Sequence, residues 1–327
     1  METIYLNPDN LTHWQQKAKP SIMALGFFDG IHIGHREVIQ TAFRKAKEEN
    51  LLLTVMSFFP HPKTVLSNGK TKVDYLMPLP DKEKLFSELG VDIFYIVEFD
   101  WEFASLSPEK FAAKYLLDLG VVHAVAGFDY TYGLRGEGNM ERLKRDSGGI
   151  LKVTKVNKVE CQGEKISSTS IREKLLKGNV EDLPALLGRS YEVGCEWDGS
   201  ALKVKPYYTL PGQGKYTATL TSGCHSQEIE VFVTSENEMI PLLNVSERFI
   251  KSGTAVSVTW HQRLTEDSRN SIREGIGYTL RNTVLFGMDD KINGFTVSRI
   301  FQTCKDRTST PNKIDFLKYR HLNYWKI

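Results

Sequence analysis

Three glycines and two histidines fall within the stretch Gly26-Phe27-Phe28-Asp29-Gly30-Ile31-His32-Ile33-Gly34-His35. An apolar run from Ile22 to Leu25 precedes it and reads as a strand. The segment His35 to Glu49 follows, with Val38, Ile39, Ala42, Phe43 and Ala46 on one helical face and Lys45, Lys47 and Glu48 on the other. A strand passing through a glycine-bearing turn into a helix start exposes unpaired N–H groups and a partial positive charge, a setting that favours phosphate. Gly34 would let a triphosphate approach the backbone, and His32 and His35 would add side-chain donors. Nucleotidyl transfer suits such a turn, because its barrier falls mainly through positioning and neutralising charge on phosphorus oxygens. Two histidines in a surface loop are the bland alternative, since H-x-G-H is short.

A second motif weighs against that alternative. Ile166-Ser167-Ser168-Thr169-Ser170-Ile171-Arg172 lies at another expected helix start, where hydroxyls, N–H groups and a guanidinium fork would meet the same anion. Alone it reads equally well as an N-cap beside a solvated arginine. In a third segment, Gly127-Phe128-Asp129-Tyr130-Thr131-Tyr132-Gly133, Asp129 could accept from ribose hydroxyls, or be a turn aspartate among packing aromatics. Arg135 beside Gly133, Gly136 and Gly138 suggests a loop able to close over substrate. Phe58 to Pro62 places two prolines around His61, rigid enough to shape a pocket or simply to end a strand.

Strand patterns at Thr3 to Leu6, Ile22 to Gly26, Leu51 to Phe58, Asp92 to Phe99, Val121 to Gly127 and Ile150 to Val159 must position these segments. They alternate with helical patterns at His35 to Glu49, Asp81 to Leu89, Ser107 to Leu119 and Ser170 to Lys177. This alternation predicts an α/β domain over 1–187, Rossmann-like, with helices on both faces of a parallel sheet. Ser170 with Glu173 is expected to form a capping box and Gly178 a helix stop. From 188 to 327 the helical period fades. Tyr216, Ala218 and Leu220 alternate with threonines, and Glu228 to Val233 and Ala255 to Trp260 behave likewise, which predicts a small antiparallel barrel over about Arg189 to His261. Ser268 to Leu280 is expected to be a helix.

The chain of 327 residues is long enough for two such domains, and its 42 basic and 40 acidic residues leave a net charge of +2. That balance gathers no nucleic acid or anionic lipid globally, so phosphate must be met locally. Cys161, Cys195, Cys224 and Cys304 lack metal-finger or disulfide spacing, and no residue is assigned as a metal ligand. Neither a signal core nor a membrane-length apolar run is evident, which predicts a cytoplasmic protein. The tail Lys305 to Ile327 interleaves basic and aromatic residues and reads as a partly packed segment rather than an RNA contact.

Together, GFFDGIHIGH, FFPHP, GFDYTYG with LRGEG, ISSTSIR and LLGRSYEVG resemble bacterial FAD synthetases in order and spacing over about residues 1 to 194. The resemblance implies an adenylyltransferase joining the AMP of ATP to FMN, giving FAD and pyrophosphate in the presence of Mg2+. It implies a catalytic group of His32, His35, Ser168 and Arg172, with ATP also met by Gly26, Phe27, Phe28, Asp29, Gly30, Gly34, Ser167 and Thr169, and by Asp129 near the adenosine. Flavin would be met by His61, Pro62, Phe128, Tyr130 and Arg135. Phe59 stands where the family usually carries an aspartate. The family usually adds a riboflavin kinase barrel. Here Asp198 to Pro206 lacks the expected Pro-Thr-x-Asn, Thr310-Pro311-Asn312 is misplaced, and Glu228 to Val233 lacks a following Asp-Phe. A degenerate kinase domain is therefore expected, with FMN and ATP as partners, no membrane, and homo-oligomerisation left open. A bifunctional enzyme and a non-enzymatic flavin-sensing or RNA-associated regulator on the same scaffold are the alternatives.

Overall fold

Why the histidine turn sits where it does follows from the burial of the strand before it. In the computed structural model, which describes residues 1–161, 163–242 and 250–264, Ile22 to Leu25 are wholly buried. They form the centre of a six-stranded parallel sheet built from β1 (Glu2–Leu6), β2 (Ser21–Leu25), β3 (Leu52–Phe59), β4 (Ile93–Glu98), β5 (Val121–Gly127) and β8 (Lys152–Val156). The order is β1-β4-β3-β2-β5-β8. From β2 the chain moves through β3 to β4 on one side and then returns to lay β5 on the other. Open α/β sheets bind ligands outside the carboxyl ends of strands at such a reversal. The turns after β2 and β5 open there.

Helices follow the strands: α1 (Leu11–Gln16), α2 (Ile33–Glu49), α3 (Pro62–Leu66), α4 (Leu79–Glu88), α5 (Trp101–Ala104), α6 (Pro108–Phe111), α7 (Leu143–Asp146), α8 (Ser168–Lys177) and α9 (Leu183–Leu187). Two short pairs, β6 (Thr131–Tyr132) with β7 (Gly138–Asn139) and β9 (Glu160–Cys161) with β10 (Glu164–Lys165), complete this layer.

Two local expectations need correction. The helix expected over Ser107 to Leu119 is α6 continuing into a π-helical turn, Ala112–Leu117; the wider turn sets Tyr115 edge-on to Phe103, with centroids 4.9 Å apart. The capping box lies three residues earlier than Ser170 and Glu173. Ser167 Oγ accepts from Ser170 N–H at 3.1 Å, and Ser167 N–H donates to Ser170 Oγ at 3.2 Å. Starting the helix earlier places Ser168 in its first turn. Gly178 ends it as expected, in the left-handed region at φ 85°.

The second half closes into a six-stranded antiparallel barrel, β11 (Glu192–Trp197), β12 (Leu202–Val204), β13 (Gly214–Ser222), β14 (His225–Val233), β15 (Met239–Pro241) and β16 (Thr254–Leu264), in the order β11-β12-β15-β14-β13-β16. Its alternation puts Tyr216, Ala218, Leu220, Val231, Val258 and Trp260 inside. The interior is continuous with Ile171 and Leu175 of α8 and with Leu183 and Leu187 of α9. Burying one such side chain contributes about 1.5–3 kcal/mol, so the barrel and the end of the first layer are held by one apolar core. The expected helix at Ser268 to Leu280 and the tail from Lys305 lie outside the described residues.

Candidate active site

After β2 the backbone doubles back through left-handed angles at Phe28 (φ 54°), Gly30 (φ 77°) and Ile31 (φ 37°). Such angles in Phe and Ile persist only where neighbours over-determine them. The neighbours here are specific. Asp29 is 1% exposed. Its carboxylate accepts from Leu76 and Met77 N–H, each at 3.1 Å, and from Arg172 Nη2 at 2.5 Å. Ser168 Oγ donates to Asp29 O at 2.8 Å. The first turn of α8 is thereby tied to the turn that opens α2, and the two helix amino ends meet.

His32 begins α2. Its Nδ1 accepts from His35 N–H at 3.2 Å, which leaves Nε2 to carry the proton of a neutral ring. The two imidazoles stack with centroids 3.6 Å apart at 17°, and His35 stands edge-on to Phe28 at 5.2 Å. A Cβ on Gly34 would lie 3.2 Å from the His32 ring, so any larger residue would press on that stack.

Two cations to which the sequence assigned no role complete the surroundings. Lys82 of α4 is 1% exposed; its Nζ donates to Phe27 O at 2.9 Å and lies 4.5 Å from the Phe27 ring centroid. Burial lowers its pKa to about 8. A trace is readable in sequence, because Lys82 shares the buried stripe of α4 with Leu79 and Phe86, where a charge needs a partner. Arg189 donates to Gly30 O at 2.8 Å, and burial lowers its pKa to about 10.

Buried polar groups are normally paired. Here six side-chain atoms among the described residues are buried without hydrogen-bond partners, and three of them, His35 Nδ1, Arg36 Nε and Arg172 Nε, belong to α2 and α8. A polyanion rich in acceptors suits them. By contrast, a separate cavity beside β4 is lined by Glu98, Asp100, Glu102 and Asp118 against Lys114 alone, and would repel one.

The remaining expected residues divide. Asp129 is close enough to His32 to act on its charge, but its carboxylate is bound to Lys165 at 2.5 Å rather than open for ribose. That pair is half-exposed and worth about 0–1 kcal/mol, so hydroxyls can displace it. Asp29 and the Phe28 ring are buried and hold the turn. Gly26 precedes the turn, with Phe27 beside it, and Thr169 is exposed on α8. His61 caps α3 by accepting from Lys63 N–H at 3.0 Å and packs on Phe27 with centroids 4.5 Å apart; Pro62 begins that helix. Phe128 is partly exposed beneath Lys165. Arg135 is exposed in a left-handed turn, and Leu134 next to it donates to Leu106 O at 2.6 Å, so its loop is anchored toward α6.

Burial lowers the pKa of His32 to about 4 and that of His35 well below its usual 6.5, with the neighbouring His32 also acting on His35. The unfolded chain therefore takes up protons at higher pH than the folded one. The stabilisation is complete above about 6.5 and is lost as pH falls toward about 4, with His32 contributing about 3 kcal/mol across that window. Urea midpoints at pH 7 and pH 5 are expected to show this loss, and His32→Gln to flatten it. An unchanged slope in that variant would refute the assignment.

Residues 14–170 match the FAD synthetase family. The bifunctional riboflavin kinase/FMN adenylyltransferase of Listeria monocytogenes is 46% identical over 192 residues, covering 58% of this chain and 60% of that protein. The protein of the same name from Bacillus subtilis is 45% identical over 191 residues, again covering 58% and 60%. An FAD synthetase of Listeria monocytogenes is 28% identical over 234 residues, covering 69% of this chain and 93% of its own length. The similarity thus spans 60% of the two bifunctional relatives. The crystal structure of a macrolide-efflux protein from Streptococcus pneumoniae superposes with a TM-score of 0.69 at 26% identity, covering 86% of this chain and 99% of that one. No described helix of this chain is long and apolar enough to cross a membrane. The matched residues 14–170, with the turn of β2 and the start of α8 inside them, are thus similar to the FAD synthetase family.

Proposed function

We propose that this chain transfers the AMP of ATP to the phosphate of FMN, forming FAD and releasing pyrophosphate. The observation that carries the reading is the meeting of the α2 and α8 amino ends at Asp29, with His35 Nδ1 and Arg172 Nε left buried and unpartnered. In that reaction an FMN phosphate oxygen attacks the α-phosphorus of ATP, and the bond to the β-phosphate oxygen breaks. FMN phosphate is already ionised near neutral pH, so no base need activate it. The protein has to orient the two phosphates and stabilise charge on the leaving pyrophosphate. His32 Nε2–H, the N–H groups opening α2 and α8, and Arg172 serve as donors, Ser168 holds α8 to the turn through Asp29 O, and Lys82 and Arg189 fix the turn through its carbonyls.

Magnesium is expected to enter as the counter-ion of the triphosphate. Among the described residues there is no group of three candidate ligands, and Asp29 is already committed to Leu76, Met77 and Arg172. No step is assigned to the ion.

We further propose that the barrel has lost riboflavin kinase activity. Where the kinase signature belongs, Asp198 Oδ1 accepts from Ser200 and Ala201 N–H at 2.9 and 2.8 Å, and Lys203 pairs with the other carboxylate oxygen at 3.3 Å. This closed turn leaves the carboxylate occupied. The names of the two bifunctional relatives favour the other reading, a kinase with a diverged signature. Purified protein with FMN, ATP and magnesium is expected to yield FAD and pyrophosphate, whereas riboflavin and ATP should yield no FMN by chromatography. FMN from riboflavin would overturn the kinase loss alone; flavin bound without pyrophosphate release would favour the regulator.

A further inference from the structure

The barrel reaches into the first layer at one place. Tyr75 N–H donates to Tyr207 O at 2.7 Å, and Thr209 N–H and Oγ1 donate to Tyr75 O at 2.9 and 3.1 Å. The Tyr208 hydroxyl donates to Asp81 of α4, next to Lys82. Tyr191 Oη in turn fixes Thr209 O at 2.7 Å. These bonds make residues 207–209 a strap across Tyr75. The ring of Tyr75 lies near-parallel to Phe27 with centroids 5.9 Å apart, and its hydroxyl accepts from His61 N–H at 3.1 Å. Phe27 immediately precedes the phosphate turn, so this aromatic surface begins where the polyphosphate site ends.

Tyr207 extends that surface from the barrel side. It is held at φ 75°, a costly angle for a non-glycine residue, and is 39% exposed. Its ring stands edge-on to Tyr75 at 5.8 Å and to Phe59 at 6.4 Å. Phe59 occupies the position where the family resemblance leads one to expect an aspartate, so an aromatic partner for Tyr207 stands in place of a charge.

Resting on the adenylyltransferase reading, we infer that the barrel supplies one wall of the flavin subsite: the strap 207–209 holds Tyr207 so that its ring, continuing Phe59, Tyr75 and Phe27, packs against the isoalloxazine ring of FMN. A flat, electron-poor tricycle gains from edge and face contacts with such rings, about 1–3 kcal/mol for one base-sized ring on one aromatic side chain. The barrel thus has a task in AMP transfer that is independent of any kinase chemistry.

Tyr207→Ala in the full-length chain tests this against Tyr207→Phe. The alanine variant is expected to raise KM for FMN about tenfold, leave KM for ATP within about twofold, and weaken the quenching of FMN fluorescence on binding. Phenylalanine should restore all three, since the ring and not the hydroxyl acts. An unchanged KM for FMN, or equal rises for FMN and ATP marking general loosening, would overturn the inference. If the alanine variant does not fold, Tyr207→Leu decides by the same ratio. A wild-type protein that makes no FAD sinks the activity reading instead, and the quenching titration, which needs no turnover, then decides the role of Tyr207.

Discussion

Alanine at His32 or at His35 is expected to slow AMP transfer about 100- to 1,000-fold, equivalent to about 3–4 kcal/mol of lost charge stabilisation. The two losses should differ in origin. His32 also caps α2 through Nδ1, so its removal strands the His35 N–H and costs about 1 kcal/mol of stability besides. His32→Asn restores an acceptor for that N–H and should recover the thermal midpoint without recovering the rate. His35 makes no cap; its Nδ1 is buried and unpartnered in the free protein, so its alanine variant should lose rate with little loss of helix stability. Single-turnover pyrophosphate release, with ATP and FMN saturating, separates these effects from binding. Rates within threefold of wild type for both alanine variants would remove the imidazoles from the chemistry.

How much of this was readable beforehand depends on whether a feature is local. The parallel sheet was, because β2, β3 and β5 are buried on both faces and read as mostly apolar runs interrupted by Thr54, Ser57 and His123. The barrel strands were visible in the alternation of Tyr216, Ala218 and Leu220, but closure of β11 onto β16 is long-range pairing that no period reveals. At the site, the residue types of both motifs were legible and their joining was not. Asp29 reads as a turn residue near phosphate; only the fold shows that its partners lie 47 and 143 positions away. Ser167 and Ser170 are equally competent caps, and the bond from Ser168 to Asp29 accompanies the choice of the earlier one. Lys82 was legible as a charge on an apolar stripe but not as a donor to Phe27.

Arg172 is the residue whose loss should propagate furthest. Among the described residues its guanidinium is the one cation bonded to the buried Asp29 carboxylate. Arg172→Ala leaves that charge with two backbone N–H donors, and breaking a buried pair from one side costs about 3–5 kcal/mol. The same change removes a forked donor from the polyphosphate and loosens the tie between α8 and the histidine turn, so the rate should fall about 1,000-fold or more. Arg172→Lys separates the contributions. It keeps a charge near Asp29 and should recover much of the stability, yet it cannot present two parallel N–H groups, so activity should remain at least about tenfold down. Unfolding midpoints read with and without ATP check the argument. Wild type should gain stability from ATP by mass action, the lysine variant less, and the alanine variant least. If the alanine variant is as stable as wild type and gains as much from ATP, Arg172 neither holds Asp29 nor meets the nucleotide, and the meeting of the two helix ends is not what binds phosphate.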